Sequence, residues 1–213
     1  DSSIDSDSGE ARNLVLKAKG GNITVTGKIG VTDGLGTLNI NDGYTSGTGV
    51  IALGGIGDAI FDSVNNKVVV VYHHAGLGNR GNAAVLTVSG TSISWGTPVQ
   101  FNGTNSSARQ RCCFDENVGK VVIGYEDDGD SAKGKFVIGT VSGTDISFTT
   151  PAVFNEHGTL ISTNVTFDST NNRVVIAFSD NANSNYGTAI VGTVSGTSVS
   201  FGTEAVFAST SLS

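Results

Sequence analysis

Proline and methionine are nearly missing from this chain, which has two prolines and no methionine in 213 residues. Charge is scarce as well, at 15% of residues. Such a composition is far from that of an average cytosolic enzyme. The two cysteines are sequence neighbours, so no disulfide framework holds the fold, and their use does not identify a compartment. Positive charge is in deficit, giving a net charge of −7, and this argues against nucleic-acid binding, which needs dense basic stripes. The longest apolar run, near Val68 to Tyr72, is strand-sized, so no membrane insertion is expected. The chain starts at Asp1 without a signal-like segment, and is read as a processed chain or a piece of a longer one.

What is present favours strands and turns. There are 30 glycines, and Val, Ile, Ser, Thr and Asn supply much of the rest. The run TVSGTSISWG, residues 87–96, returns as TVSGTDISFT from Thr140 and as TVSGTSVSFG from Thr193, 53 residues apart each time. Phe61, Phe114 and Phe167 keep the same interval, and so do Tyr72, Tyr125 and Phe178. Gly81, Gly134 and Gly187, then Trp95, Phe148 and Phe201, then Phe101, Phe154 and Phe207 follow it without an insertion. This is an internal repeat of three copies.

Each copy reads as four short strands, in the last one NVTFD, RVVIAFSD, GTAIVGTVSG and SVSFGTEAVF. STNN and SGTS supply tight turns, and the Gly inside SVSFGTEAVF suggests a bulge, with Val199, Phe201 and Val206 facing a packing surface. KVVVVY and RVVIAF read as strands buried on both faces. The predicted fold class is all-β: three 53-residue, four-stranded antiparallel meanders of β-propeller type after a short β-rich N-terminal connector. The predicted organisation is a flexible acidic segment at 1–10, a β-rich connector and oligomerisation segment at 11–45, and the three-blade domain at 46–213. Closed propellers use about four to eight blades, so three should not close alone. Several chains sharing a ring, an open stack, or a longer polypeptide would each resolve this, and FASTSLS ends at an edge that needs covering.

In a meander, the loops after the second strand and after the fourth lie at one end. Here they read as long and varied: HHAGLGNRGN, EDDGDSAKG and SDNANSNYG, with NGTNSSARQR and NEHGTLIST. Varied loops on a repeated scaffold suit recognition, while the plainer reading makes them solvated tips. His74, Asp127 and Asp180 occupy one position per copy. Sheets pack about 10 Å apart, so these three cannot share an ion, and a surface role is expected rather than a metal site. Asp128 belongs to EDDGDS, whose acidic density resembles a calcium loop without EF-hand spacing. Arg109 and Arg111, two apart on one strand face, could clamp a sugar acid or phosphate, or simply pair with Asp115 or Asp127. Tyr186 aligns with Arg80 and Lys133 and is the best exposed aromatic for stacking on a sugar. Trp95, Phe148 and Phe201 read as core. Cys112 and Cys113 sit inside a first strand, one on each face, and read as small packing hydrophobes. No catalytic residues, metal or cofactor are predicted, although carboxylate-rich loops keep a hydrolase under consideration.

The stretch FDSTNNRVVIAFSDNANSNYGTAIVGTVSGTSVSFGTEAVF resembles repeats in tail-fibre and other virion proteins of marine tailed bacteriophages. ARNLVLKAKGGNITVTGKIG resembles the β-rich connectors that precede receptor-binding regions of phage fibres. The resemblance implies a non-enzymatic, extracellular virion component. Its implied partners are itself, as a homo-oligomer and by analogy with fibres a trimer, and other virion proteins, with a host-surface glycan or protein as target. A secreted bacterial β-propeller lectin or surface protein is the alternative, and an envelope polysaccharide depolymerase the second.

Overall fold

A computed structural model describes residues 53–103 and 105–211. The readings placed on 1–10 and 11–45 lie outside the described residues. The described residues form three antiparallel sheets, one per repeat. Sheet 1 holds β1 (Leu53–Asp62), β2 (Lys67–His74), β3 (Arg80–Ser89), β4 (Ser92–Trp95) and β5 (Val99–Gln100). Sheet 2 holds β6 (Ser107–Asp115), β7 (Lys120–Asp127), β8 (Lys133–Ser142), β9 (Asp145–Phe148) and β10 (Ala152–Asn155). Sheet 3 holds β11 (Leu160–Asp168), β12 (Arg173–Asp180), β13 (Tyr186–Ser195), β14 (Ser198–Phe201) and β15 (Ala205–Ser211). Among the described residues there is no α-helix, and no helix is long and apolar enough to cross a bilayer.

Register follows the 53-residue interval. Phe61 pairs with Val68, Phe114 with Val121 and Phe167 with Val174. Leu86 pairs with Trp95, Gly139 with Phe148 and Gly192 with Phe201. The all-β meander expectation therefore holds, with one refinement. The fourth strand is broken in two, and both halves pair with the third strand. The break falls at Gly96, Thr149 and Gly202, whose amides still donate to Val85, Ile138 and Val191 carbonyls at 2.9, 3.0 and 2.9 Å. The ladder bends there without losing its bonds, as the inserted glycine suggested.

The turn joining the first two strands repeats as well. Asp62 Oδ1 accepts from the Val64 and Asn65 amides at 3.0 and 2.9 Å. Asp168 does the same with Thr170 and Asn171, at 3.0 and 3.2 Å. Asp115 accepts from Asn117 and Val118 at 3.0 and 3.3 Å. One residue later the backbone turns left-handed, at Asn66, Gly119 and Asn172, where Asn and Gly bear positive φ most easily. Asn171 adds a side-chain bond of 2.7 Å to Asp168 Oδ2, which holds that carboxyl below its ordinary value of 3.8. A lowered carboxyl supports the fold above the ordinary value, and the support is lost as pH falls through the folded value. Asn171→Ala should bring the Asp168 titration back up toward 3.8, read by carboxyl-carbon NMR; an unchanged titration would contradict this cause.

Sheets 1 and 2 pack face to face through Val69, Val71, Val85 and Phe101 on one side and Phe114, Ile123, Tyr125 and Val137 on the other. Sheets 2 and 3 pack through Val122, Phe136, Ile138 and Phe154 against Val165, Ile176, Phe178 and Ile190. The two interfaces use equivalent rings. Phe101 meets Tyr125 at 5.1 Å between centroids, and Phe154 meets Phe178 at 5.5 Å, both edge-on. The first strands lie close together, and Phe61, Phe114 and Phe167 line a common groove of about 260 Å³.

Position in the stack decides burial. From Val121 to Asp127, β7 is buried throughout because both faces of sheet 2 are covered. β2 and β12 alternate instead, against the expectation of burial on both faces. Each has only one side against a neighbouring described sheet. One other expectation fails for the same reason, at Trp95, and a second fails at Val206. Trp95, on the uncovered face of sheet 1, is exposed, although Phe148 and Phe201 pack partly into the core; Val206, on the last strand, is exposed as well.

Cys112 and Cys113 are buried, one in each interface, and burial raises both thiols, Cys113 to about 12. The thiolate is the reacting form, so iodoacetamide at pH 8 should label neither until the chain unfolds. Labelling in the native state would contradict this packing.

Candidate binding rim

The loops after the second strands span 75–79, 128–132 and 181–185, five residues each. They are shorter than the sequence suggested, because the flanking residues of HHAGLGNRGN and its counterparts continue the strands. Loops 75–79 and 181–185 share one backbone, each opening on a 3-10 turn, whereas 128–132 follows its own path, with amides of Asp130 and Lys133 donating to the Asp127 and Asp130 carbonyls at 3.1 and 3.2 Å. Two successive left-handed residues close each loop: Gly78 and Asn79, Ser131 and Ala132, Ser184 and Asn185. Asn79 and Asn185 amides donate to the His74 and Asp180 carbonyls at 3.0 and 2.8 Å. The three loops thus share length and left-handed closure, and they differ in their side chains and, at 128–132, in the path of the chain.

The connections between repeats lie at the same end, as meander topology requires. The Ser107 amide donates to the Asn79 carbonyl at 2.9 Å, and the Asp128 amide to the Ser106 carbonyl at 3.2 Å. One connection thereby ties the loops of sheets 1 and 2 together. The next ties to the loop of sheet 3 through the Asn181 amide and the Thr159 carbonyl, at 3.3 Å. Loops and connections form one continuous rim.

His74, Asp127 and Asp180 end their strands opposite Arg80, Lys133 and Tyr186. All three are buried, which corrects the expectation of a surface role. The reason is local: two of them satisfy amides at the start of their loops. Asp180 accepts from Ala182 at 3.0 Å and Asp127 from Gly129 at 3.1 Å. Asp127 also pairs with Lys135 at 2.8 Å.

The acidic loop of sheet 2 is neutralised from within. Lys135 bridges Asp127 and Asp130, the latter at 2.7 Å, and Lys133 reaches Glu156 at 2.9 Å. Asp128 accepts from the Ser106 hydroxyl. Among the described residues, no group of three or more His, Cys, Asp or Glu is arranged to hold a metal ion. The calcium-loop resemblance of EDDGDS therefore dissolves into ion pairs.

Arg109 and Arg111 do not share a face as the spacing implied. A bulge between Ala108 and Arg111, with Arg109 at φ 55°, breaks the alternation. Arg109 pairs with Glu126, and Arg111 donates to the Gly57 and Gln110 carbonyls at 2.8 and 2.9 Å, which joins sheet 2 to sheet 1.

Glu126 is the rim residue that the sequence reading passed over. It is buried at the end of β7, where it takes the Arg109 guanidinium on one oxygen and the Leu160 amide, from sheet 3, on the other. Burial raises its carboxyl, and the Leu160 amide and Arg109 oppose that rise. Its counterparts in the other repeats are His73 and Ser179, so no repeated acidic position marked it. What remains available to a ligand are the exposed loop residues, among them Asp128 and Asn181, with the half-buried Tyr186 ring beside the third loop. Comparisons with protein-family models, curated proteins and solved structures find no match to this chain.

Proposed function

We propose that this chain is a non-enzymatic virion structural protein of tail-fibre type that attaches to a host surface, a glycan or a protein, through its loop rim. The observation that carries the reading is that three loops of equal length and common left-handed closure bear different side chains: AGLGN, DGDSA and NANSN. Fixed strand ends and a shared left-handed closure let side chains change while the platform stays rigid, and rigid presentation lowers the entropy cost of binding. Loops tied to one another by the inter-repeat connections present a single surface. Resemblance to phage fibre repeats supplies the virion context.

The test is binding of the fluorescently labelled chain to host cells and to a glycan array. A variant whose residues 128–132 are replaced by AGLGN should keep its strand circular dichroism and lose at least about ten-fold in binding. Tyr186→Ala should weaken a glycan target by a smaller factor. Binding unchanged by both variants would overturn the rim as the attachment surface. New reducing ends released from host surface polysaccharide would overturn the non-enzymatic reading.

A further inference from the structure

We propose that the outer face of sheet 3 docks on the outer face of sheet 1 of a second copy, so that two chains close a six-sheet ring. The repeat itself carries the argument, because each interface position occurs three times and its burial can be compared. On the face turned toward the next repeat, Phe101 and Phe154 are 3% and 5% exposed, and Phe207 is 63% exposed. On that same face Val85 and Ile138 are 0% and 2% exposed, and Val191 is 43% exposed. Each is buried twice, wherever another sheet follows, and exposed once, where none does.

The face turned toward the preceding repeat shows the converse. Val141 and Ile146 are buried, Phe148 packs on them, and Val194, Val199 and Phe201 fill the same places in sheet 3. Their counterparts in sheet 1, Val88, Ile93 and Trp95, are all exposed. Both internal interfaces bring these two surfaces together. Phe101 lies 5.8 Å from Phe148, and Phe154 lies 6.3 Å from Phe201, ring centre to ring centre. The same step applied at the open end sets Phe207 against Trp95 of a second copy. The chain therefore carries both halves of an interface it already builds twice.

An interface between unlike faces is heterologous, and it makes a ring only if the rotation closes. Two copies give six sheets, inside the range of about four to eight in which propellers close, whereas three copies would give nine. An exposed apolar patch bearing tryptophan and phenylalanine is the usual seat of binding energy in such contacts. This surface is separate from the loop rim and stands whatever the rim binds.

The experiment is sedimentation equilibrium of the full chain, of Trp95→Glu, of Phe207→Glu, and of the two variants mixed. Both side chains are exposed in the single chain, so neither variant should unfold, and circular dichroism melts serve as the control. The wild type should weigh about 43 kDa, twice the 21.7 kDa of one chain. Each variant alone should associate at least about 30-fold more weakly. Mixing should recover a two-chain species, because each variant keeps the half that the other has lost. A wild type that stays monomeric would overturn the proposal, as would growth beyond two chains. So would association that survives both substitutions, which would place the contact elsewhere, as in residues 11–45.

Discussion

Gly96→Ala should destabilise the fold by roughly 3 kcal/mol, with a fall in Tm of about 6–12 °C. A Cβ at this glycine would lie 1.8 Å from the Thr144 carbonyl oxygen, in the turn between β8 and β9 of sheet 2. That neighbour is backbone and cannot swing aside, so two sheets must separate to admit one methyl group. The equivalent Gly202 is the control. A Cβ there would meet nothing nearer than the Val191 carbonyl at 3.7 Å, an ordinary contact. Gly202→Ala should therefore change stability by less than about 0.5 kcal/mol. The middle repeat carries Thr149 at this place, so the conflict belongs to the first interface and not to the strand break as such. Equal effects at 96 and 202 in thermal melts would mean that the bend itself, and not the neighbouring sheet, demands glycine.

The second large effect is expected at Glu126. Glu126→Ala removes one partner of Arg109 and the acceptor of the Leu160 amide, at a cost of about 2–3 kcal/mol. The cost falls at or below the lower end of the usual range for a broken buried pair, about 3–5 kcal/mol, because the Arg109 side chain is 33% exposed and water can take up part of its charge. Glu126→Gln keeps an acceptor for Leu160 and should cost about 1 kcal/mol. Urea melts that rank the two variants the other way would contradict a bridging role. The residue lies inside sheet 2 but ties down the first residue of sheet 3, so its loss should also speed hydrogen exchange at Leu160 more than at Ile123.

Register was the legible part of this molecule. One interval places Phe61, Tyr72 and Gly81 on their strands, and the structure pairs Phe61, Phe114 and Phe167 with Val68, Val121 and Val174 as that interval requires. Burial was legible only for the middle copy. Trp95 and Phe207 sit at the same strand positions as buried rings, but their exposure depends on what lies beyond the first and last sheets. No pattern within a repeat encodes that. The rim was half legible. Meander topology gathers the right loops, yet His74, Asp127 and Asp180 read as surface because they are polar. Their burial follows from loop closure, and for Asp127 and Asp180 it is repaid by backbone amides two residues on. Glu126 escaped because its partners, Arg109 and Leu160, come from other strands and its counterparts are not acidic. Arg109 and Arg111 misled because spacing of two implies one face only in an unbulged strand.

Nuclear Overhauser contacts between aromatic rings measure the central claim most directly, since that claim is that like sheets stack face to face in one register. Rings of Phe101 and Tyr125 should show cross-peaks, and rings of Phe154 and Phe178 should show the same set one repeat later. Cross-peaks at the first pair without the second, or at neither, would contradict the stacked arrangement.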